Sequence, residues 1–483
     1  MEEKSKPDYA KLGLLAGLEI HQQLDTGKLF CSCPGYLRSE EPDFVVHRKL
    51  HAVAGESGKV DVAAMYEASL EREFVYQGYK DNVCLVDLDE DPPHSVNENA
   101  LDEAIKIAVL LNCEIYQTSQ VMRKTVIDGS NTAGFQRSVL IAHGGFVETS
   151  FGKVGIGSLA LEEDAARIIE KDAKKAVFRL DRLGIPLVEI TTKPELYSPE
   201  QIKECALKIG EILRACRVKR GIGTIRQDLN ISIKGHDRVE IKGFQDPRMM
   251  IETADIEILR QKEDIKKKKR DGDVRNALPD GKTEFLRPIP GEARMYPETD
   301  LPLLKISRDR INGLKKVLPK LKGEIRDELR KKGVREELIP LVIENLDEFE
   351  VLMRVYDKDA NLIGKMIALW RNEFATKLKK QIEEIKKHLN EKVLEHVLEA
   401  LKENKISEGD VKGILLKIAE GEKLENALKV EKMSDDELEK KISDIVKEKP
   451  GLRANAYMGM VIGKLGPGID KRKAMEILNR IVK

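Results

Sequence analysis

The chain has no net charge: 84 Lys and Arg stand against 84 Asp and Glu. It therefore lacks a global field for nucleic acid, and any RNA contact must come from local basic patches. It lacks long apolar runs as well; none approaches the roughly 20 residues of a membrane span. Cysteine is scarce, six in 483 residues. With no secretory signal, that usage is expected of the reducing cytoplasm. Cys31-Ser32-Cys33 is the one close pair, and Cys84, Cys113, Cys205 and Cys216 form no second knuckle. Structural zinc usually takes four ligands from two such knuckles, so buried or surface thiols are the plainer reading and zinc the alternative. No Cys stands in the context of a nucleophile. Histidine is sparse too, eight in all, and His47 and His51 share helical spacing without other marks of a ligand pair. What the chain has in quantity is charge, 35 % of residues and rich in Lys and Glu, the bias of hyperthermophile proteins. Its length exceeds one core and calls for two to four domains.

Gly17-Leu18-Glu19-Ile20-His21 follows the apolar run Leu12-Gly13-Leu14-Leu15-Ala16. Read as a strand, its period of two puts Glu19, His21 and Gln23 on one face and Leu18 and Ile20 on the other. A carboxylate and an imidazole two residues apart on a strand can share a divalent metal; a wet sheet face would look the same. Four further segments keep similar company. Leu161-Glu162-Glu163-Asp164 sets three acids at the end of an apolar stretch. Ile185-Pro186-Leu187-Val188-Glu189-Ile190 holds one acid in a strand-like run. Ile225-Arg226-Gln227-Asp228-Leu229-Asn230-Ile231-Ser232 alternates cleanly, and Val239-Glu240-Ile241-Lys242 repeats the pattern. Together these faces suit magnesium, ATP phosphates and a developing acyl phosphate. Arg226, Lys242 and Arg294 are the candidates to neutralise charge there. Glu163 or Asp164 is the candidate carboxylate to take up a proton.

From Leu12 to about Pro302 strands and helices mix, with many Gly. Helices are expected over about 97–111 and, with Ser198 as cap and Pro199 in the first turn, over 198–215. The loop Asp128-Gly129-Ser130-Asn131-Thr132-Ala133-Gly134-Phe135-Gln136-Arg137 can wrap a ligand backbone or be a plain surface loop. From Ser307 the chain reads as helical, in blocks of about 307–332, 335–355, 359–390, 391–404, 408–418 and 423–428. Ser434-Asp435-Asp436-Glu437 is a capping-box pattern that opens a last small unit. The expected domains are thus 1–302, 303–430 and 431–483.

Five motifs now carry a resemblance: Gly17-Leu-Glu-Ile-His21, Leu161-Glu-Glu-Asp164, Gly184-Ile-Pro-Leu-Val-Glu-Ile190, Arg226-Gln-Asp-Leu-Asn-Ile-Ser232 and Arg294-Met-Tyr-Pro-Glu-Thr-Asp300. In this order they resemble the B and E subunits of tRNA-dependent amidotransferases, over nearly the whole chain. The loop Gly129–Arg137 and the missing four-cysteine knuckle favour the E type. The resemblance implies an α+β fold: an antiparallel-sheet cradle similar to glutamine synthetase and guanidino kinases, then a helical domain and a small tRNA-binding helical tail. It implies ATP-dependent conversion of Glu-tRNA(Gln) to Gln-tRNA(Gln) through a γ-phosphoryl intermediate, with Mg2+. Ammonia would come from an asparaginase-like D partner in a heterotetramer of two D and two E subunits.

The same resemblance carries metal ligation onto His21, Glu162 and Glu189 for one site, and onto Glu19 and Asp228 with Glu162 shared for a second. Glu19, Glu162, Glu163, Asp164, Arg226, Asp228, Lys242 and Arg294 are the expected catalytic set. Ser130, Asn131, Gln136, Arg137, Asn230 and Tyr296 are the expected substrate contacts. E-type members usually carry an insertion resembling part of bacterial aspartyl-tRNA synthetases. Here Asp271-Gly272-Asp273-Val274-Arg275-Asn276 bridges that place directly, so the insertion is expected to be missing. A B-type chain that also acts on Asp-tRNA(Asn), and a non-catalytic RNA-binding assembly factor, are the rival readings.

Overall fold

A computed structural model describes residues 7–52, 58–60, 62–244, 246–289, 295–429, 435–465 and 471–482. Arg294 and the cap residue Ser434 lie outside the described residues. The chain divides into two compact units, 1–321 and 322–483.

The first unit is mixed α and β, built on a sheet of 12 strands. Its main path runs Thr283–Pro288, Asp273–Ala277, Val239–Phe244, Ile225–Ser232, Leu15–Gln23, Pro186–Thr192, Gly152–Glu163, Phe135–His143, Val121–Thr125 and Met295–Pro297. Along this path the pairings are antiparallel except that of Val239–Phe244 with Asp273–Ala277, which is parallel. Alternation explains the layering. Leu18, Ile20, Leu159, Leu161, Val188, Ile190, Leu229 and Ile231 all turn to one face and are buried. Each such side chain contributes about 1.5–3 kcal/mol by leaving water. Their helical cover is Glu98–Leu110, Pro199–Ala215 and Met249–Lys266, whose buried stripes join the same core. Asn97 caps the first of these by accepting the backbone N–H of Asn99 and Ala100 at 3.0 and 3.1 Å. Ser198 caps the second through the N–H of Gln201 at 3.3 Å. The opposite face of the sheet is the polar one.

A smaller sheet, Arg167–Lys171, Lys175–Arg179, Glu73–Gly78 and Phe44–Arg48, has its own core of Phe74, Tyr76, Phe178 and Leu180. The loop around Gly129 packs against it. Gly129 has φ +89°, its carbonyl accepts from Tyr76 Oη at 2.8 Å, and a Cβ there would lie 2.1 Å from the Phe74 ring.

The first unit runs past the expected boundary at 302. Helix Arg308–Lys315 belongs to it, because Arg310 reaches Asp102 at 2.7 Å and Ile311 and Leu314 pack on the main core. The expected block 307–332 is accordingly two helices, Arg308–Lys315 and Lys322–Lys331, with Pro319 between them. At the expected deletion, Gly272 leads straight into strand Asp273–Ala277, and a Cβ on it would meet the Arg238 carbonyl oxygen at 2.0 Å.

The second unit is helical among its described residues. Its larger core includes Leu352, Ile363, Trp370, Leu398 and Leu415. The expected block 359–390 breaks at Lys379, whose φ of +54° ends helix Trp370–Leu378. Helices Asp435–Glu448, Ala454–Leu465 and Lys471–Ile481 have a separate small core around Ile442, Tyr457, Val461 and Leu478. No helix among the described residues is long and apolar enough to cross a membrane.

Candidate functional site

Register brings the acids together. In the central strand Leu15–Gln23, His21 lies opposite Glu189 on one side and Glu19 opposite Asp228 on the other. His21 Nε2 is 3.2 Å from Glu189 Oε2 and 3.5 Å from Glu19 Oε1. Ligand atoms of Glu19, His21 and Glu189 all lie within 4.8 Å of one another. Glu162 follows next along the same face. Lys124 Nζ joins it to Glu189, at 2.7 Å from Glu162 Oε1 and 3.3 Å from Glu189 Oε2, and Gln136 donates to Glu162 Oε2 at 3.2 Å.

Crowding of like charge shapes the protonation states. Burial and the neighbouring Glu189 push Glu19 up to about 7. Burial and Glu189 also raise Glu162. Burial opposes the charge on Glu189, yet Lys124 and His21 outweigh it and hold that carboxyl low. His21 is raised: burial works against its charge, but the hydrogen bond and charge of Glu189 win.

Asp228 stands beside this group rather than inside it. Its carboxylate accepts from Lys242 Nζ at 2.6 Å, and the same ammonium lies 2.5 Å from Glu240. Asn230, two residues on, has a buried Oδ1 without a hydrogen-bond partner among the described residues. Two carboxylates and an imidazole in such proximity suit a divalent cation. The two expected ligand sets are thus regrouped, with Glu19, His21 and Glu189 together, Glu162 on Lys124, and Asp228 on Lys242.

Six expected residues meet a different geometry. Glu163 follows Glu162, so alternation turns it toward the core side, where Arg137 holds it: the Arg137 N–H donates to Oε2 at 3.0 Å. Asp164 is fully buried and accepts from Gln23 Nε2 at 2.6 Å and from Arg226 at 2.8 Å. Both are therefore committed to internal pairs, not placed as open proton acceptors. Arg137 shares the core-facing side of its strand with Val139 and Ile141; it bonds Glu298 at 2.8 Å and lies 5.1 Å from the Phe135 ring centre. Asn131 is buried at 3 % exposure in the loop packed on the smaller sheet, and Ser130 Oγ donates to Asp128 at 2.6 Å. Tyr296 pairs opposite Arg123 and meets Phe135 edge-on at 6.3 Å. Of the expected substrate contacts, Gln136 is the one bonded to the acid cluster itself.

Lys124 is the residue that sequence reasoning missed. Its signal was present: in Val121-Met122-Arg123-Lys124-Thr125 alternation separates Lys124 from core-facing Val121. Only the pairing of Lys124 with Gln136 across strands reveals that it faces the acids.

The open face of this mixed α and β unit thus gathers three acids, Glu19, Glu162 and Glu189, with an imidazole and a bridging lysine over a helix-backed core. Residues 14–312 match the GatB/GatE catalytic domain, and the chain belongs to that family. It is similar over 99 % of both chains, at 34 % identity, to a protein of Methanocaldococcus jannaschii named as the E subunit of glutamyl-tRNA(Gln) amidotransferase. A protein of the same name from Methanothermobacter thermautotrophicus is 35 % identical over 94 % of both chains. One from Methanococcus maripaludis strain C5 is 50 % identical over 53 % of this chain and 41 % of its own length. The first alignment spans 629 positions against the 483 residues here, so the M. jannaschii protein has well over a hundred residues with no counterpart in this chain.

Proposed function

We propose that this chain catalyses ATP-dependent amidation of Glu-tRNA(Gln) to Gln-tRNA(Gln) on the polar sheet face. The observation that carries the reading is the convergence of Glu19, His21 and Glu189, with Lys124 and Glu162 beside them, in a member of the GatB/GatE family. In the reaction the side-chain carboxylate of the esterified glutamate attacks the γ-phosphorus of ATP, and ADP leaves. Ammonia then attacks the acyl carbon, phosphate leaves, and the amide remains.

Both first reactants are anionic, so the site must offset their repulsion. Glu19, His21 and Glu189 would hold magnesium, which supplies positive charge to the transferring phosphoryl group. Lys124 and Lys242 keep the neighbouring carboxylates from repelling that group. Arg226, anchored on Asp164 and 36 % exposed at its side chain, retains N–H donors for an anionic oxygen. The D partner, of asparaginase type, supplies the ammonia in a two-plus-two assembly in the cytoplasm, and the helical tail meets the tRNA.

The test is to incubate the full chain with Glu-tRNA(Gln), ATP and Mg2+, with ammonium chloride replacing the partner. Formation of Gln-tRNA(Gln) that requires ATP supports the reading. ATP binding without any amide product would leave an RNA-binding factor. Equal amidation of Asp-tRNA(Asn) would assign the broader B-type activity.

A further inference from the structure

Beneath the strands that carry Lys124 and Gln136 lies a second, buried group of charges. Arg123 and Arg137 stand directly opposite each other in the pairing of Val121–Thr125 with Phe135–His143, so both side chains leave the same face of the sheet. The next pair along that ladder is Lys124 opposite Gln136, turned to the acid face. Like charges directly opposite on neighbouring strands push those strands apart. Solvent screens these two poorly, because their side chains are only 21 % and 6 % exposed. The centre of the Phe135 ring lies 4.6 and 5.1 Å from their guanidinium carbons.

What joins the two arginines is Glu298, just past strand Met295–Pro297, with its side chain fully buried. Arg123 donates to it twice, Nε to Oε2 at 2.9 Å and Nη2 to Oε1 at 2.5 Å. Arg137 Nε donates to the same Oε2 at 2.8 Å, and the Asp300 N–H to Oε1 at 3.0 Å. Burial opposes the charge on Glu298, yet these donors hold its carboxyl below the usual range. Glu163 flanks Arg137 at 3.6 Å and Asp300 flanks Arg123 at 3.2 Å, but Glu298 is the carboxylate that both arginines share.

We infer that Glu298 is a positioning residue for Lys124: it cancels the repulsion between Arg123 and Arg137 and so keeps their strands at the spacing that sets the Lys124 ammonium on Glu162 and Glu189. A strand displacement of about 1 Å would take the Lys124–Glu189 contact, now 3.3 Å, out of hydrogen-bond range. The effect of Glu298 on turnover rests on the amidation reading above; its effect on the place of Lys124 does not.

The test reads Lys124 directly. The full chain and Glu298→Gln, which keeps the shape of the side chain and removes its charge, are treated with a trace of an amine-acylating reagent. Peptide mass spectrometry then follows the labelling rate of each lysine. Lys124 is expected to label several-fold faster in Glu298→Gln, while Lys242, held by Asp228 in the same unit, keeps its rate. Arg123→Gln/Glu298→Gln removes the anion together with the repulsion. It should fold and return Lys124 to near the wild-type rate, and it decides the matter if the single variant does not fold. An unchanged Lys124 rate in Glu298→Gln, a parallel rise at Lys242, or a Lys124 that labels fast in the double variant overturns the proposal.

Turnover gives the second readout. Glu298→Gln should lower kcat for Gln-tRNA(Gln) formation by up to about 100-fold, with the KM for tRNA unchanged. In a Lys124→Met chain it should lower kcat no further; losses that multiply in that combination overturn the assignment to Lys124. If the wild-type chain forms no amide, the reaction proposed above fails, and the labelling rates still decide where Glu298 acts.

Discussion

Lys124 Nζ lies 2.7 Å from Glu162 and 3.3 Å from Glu189, so one ammonium joins two carboxylates from different strands. His21 meets the same Oε2 oxygen of Glu189. The acid row therefore holds its own counter-charges, and Glu189 is where two of them meet.

Replacing this lysine tests that arrangement. In Lys124→Met the two carboxylates face each other without their shared cation, and breaking such a buried pair costs about 3 kcal/mol or more. ATP-dependent amide formation is expected to fall by at least ~100-fold, the scale of a lost electrostatic contact in a transition state. The KM for tRNA should change little. Steady-state kinetics with a denaturant titration of the same variant measure both; wild-type turnover would remove Lys124 from the site.

Glu162→Ala is expected to abolish phosphoryl transfer to the esterified glutamate while tRNA affinity stays near wild type. On the proposed reading Glu162 holds Lys124 in place, and that ammonium offsets charge as it builds during transfer. Trapping the phosphorylated aminoacyl-tRNA with hydroxylamine, alongside a filter-binding isotherm, separates the two effects. Lost affinity with intact chemistry would give Glu162 a binding role instead.

Metal-free stability should depend on pH through Glu19. Its folded value of about 7 lies above the ordinary carboxylate value near 4.5. The native state thus keeps a proton that the unfolded chain has given up, and stability falls as pH rises from 4.5 through 7. The loss is on the order of 1–3 kcal/mol. Urea midpoints in EDTA on the acid and alkaline sides of that window measure it, and Glu19→Gln should flatten the difference. An equal slope in that variant would assign the effect elsewhere.

Gly272→Ala should destabilise the first unit by about 1–3 kcal/mol, since the added methyl meets a backbone carbonyl that cannot rotate away. A lower thermal midpoint is the expected readout. No change in that midpoint would show that the backbone yields at the join.

Deleting 431–483 should weaken Glu-tRNA(Gln) binding most at low salt and leave ATP binding intact. The segment has its own core and exposed Arg453, Arg472 and Arg480, so phosphate contacts there would be screened as salt rises. Equal tRNA affinity of the truncated chain at matched salt would make the tail a packing element.

Much of the fold could be read in advance because period-two alternation is local. Spacing alone places Glu19 with His21, and Asp228 with Asn230, on their faces. Helix 198–215 was marked by its cap. Roles decided by partners distant in sequence could not be read this way. Arg137 and Glu163 look like site residues until Glu298 and Arg137 are seen to hold them below the sheet. Lys124 looks ordinary until Gln136 pairs across from it. Cys84 and Asp87 look unrelated to Cys31 and Cys33 until the three sulfurs and one Asp87 oxygen fall within 4.8 Å of one another.

The strand Leu15–Gln23 has neighbours on both edges and different duties on its two faces. Adding or removing one residue directly after Gly17, with the chain before it held in register, would turn Glu19 and His21 toward the core and Leu18 and Ile20 toward the polar face. Such a reading-frame-neutral change would cost stability and chemistry together, and no compensating substitution nearby could restore both. The lineage of this segment is therefore open to exchange of side chains but closed to change of length.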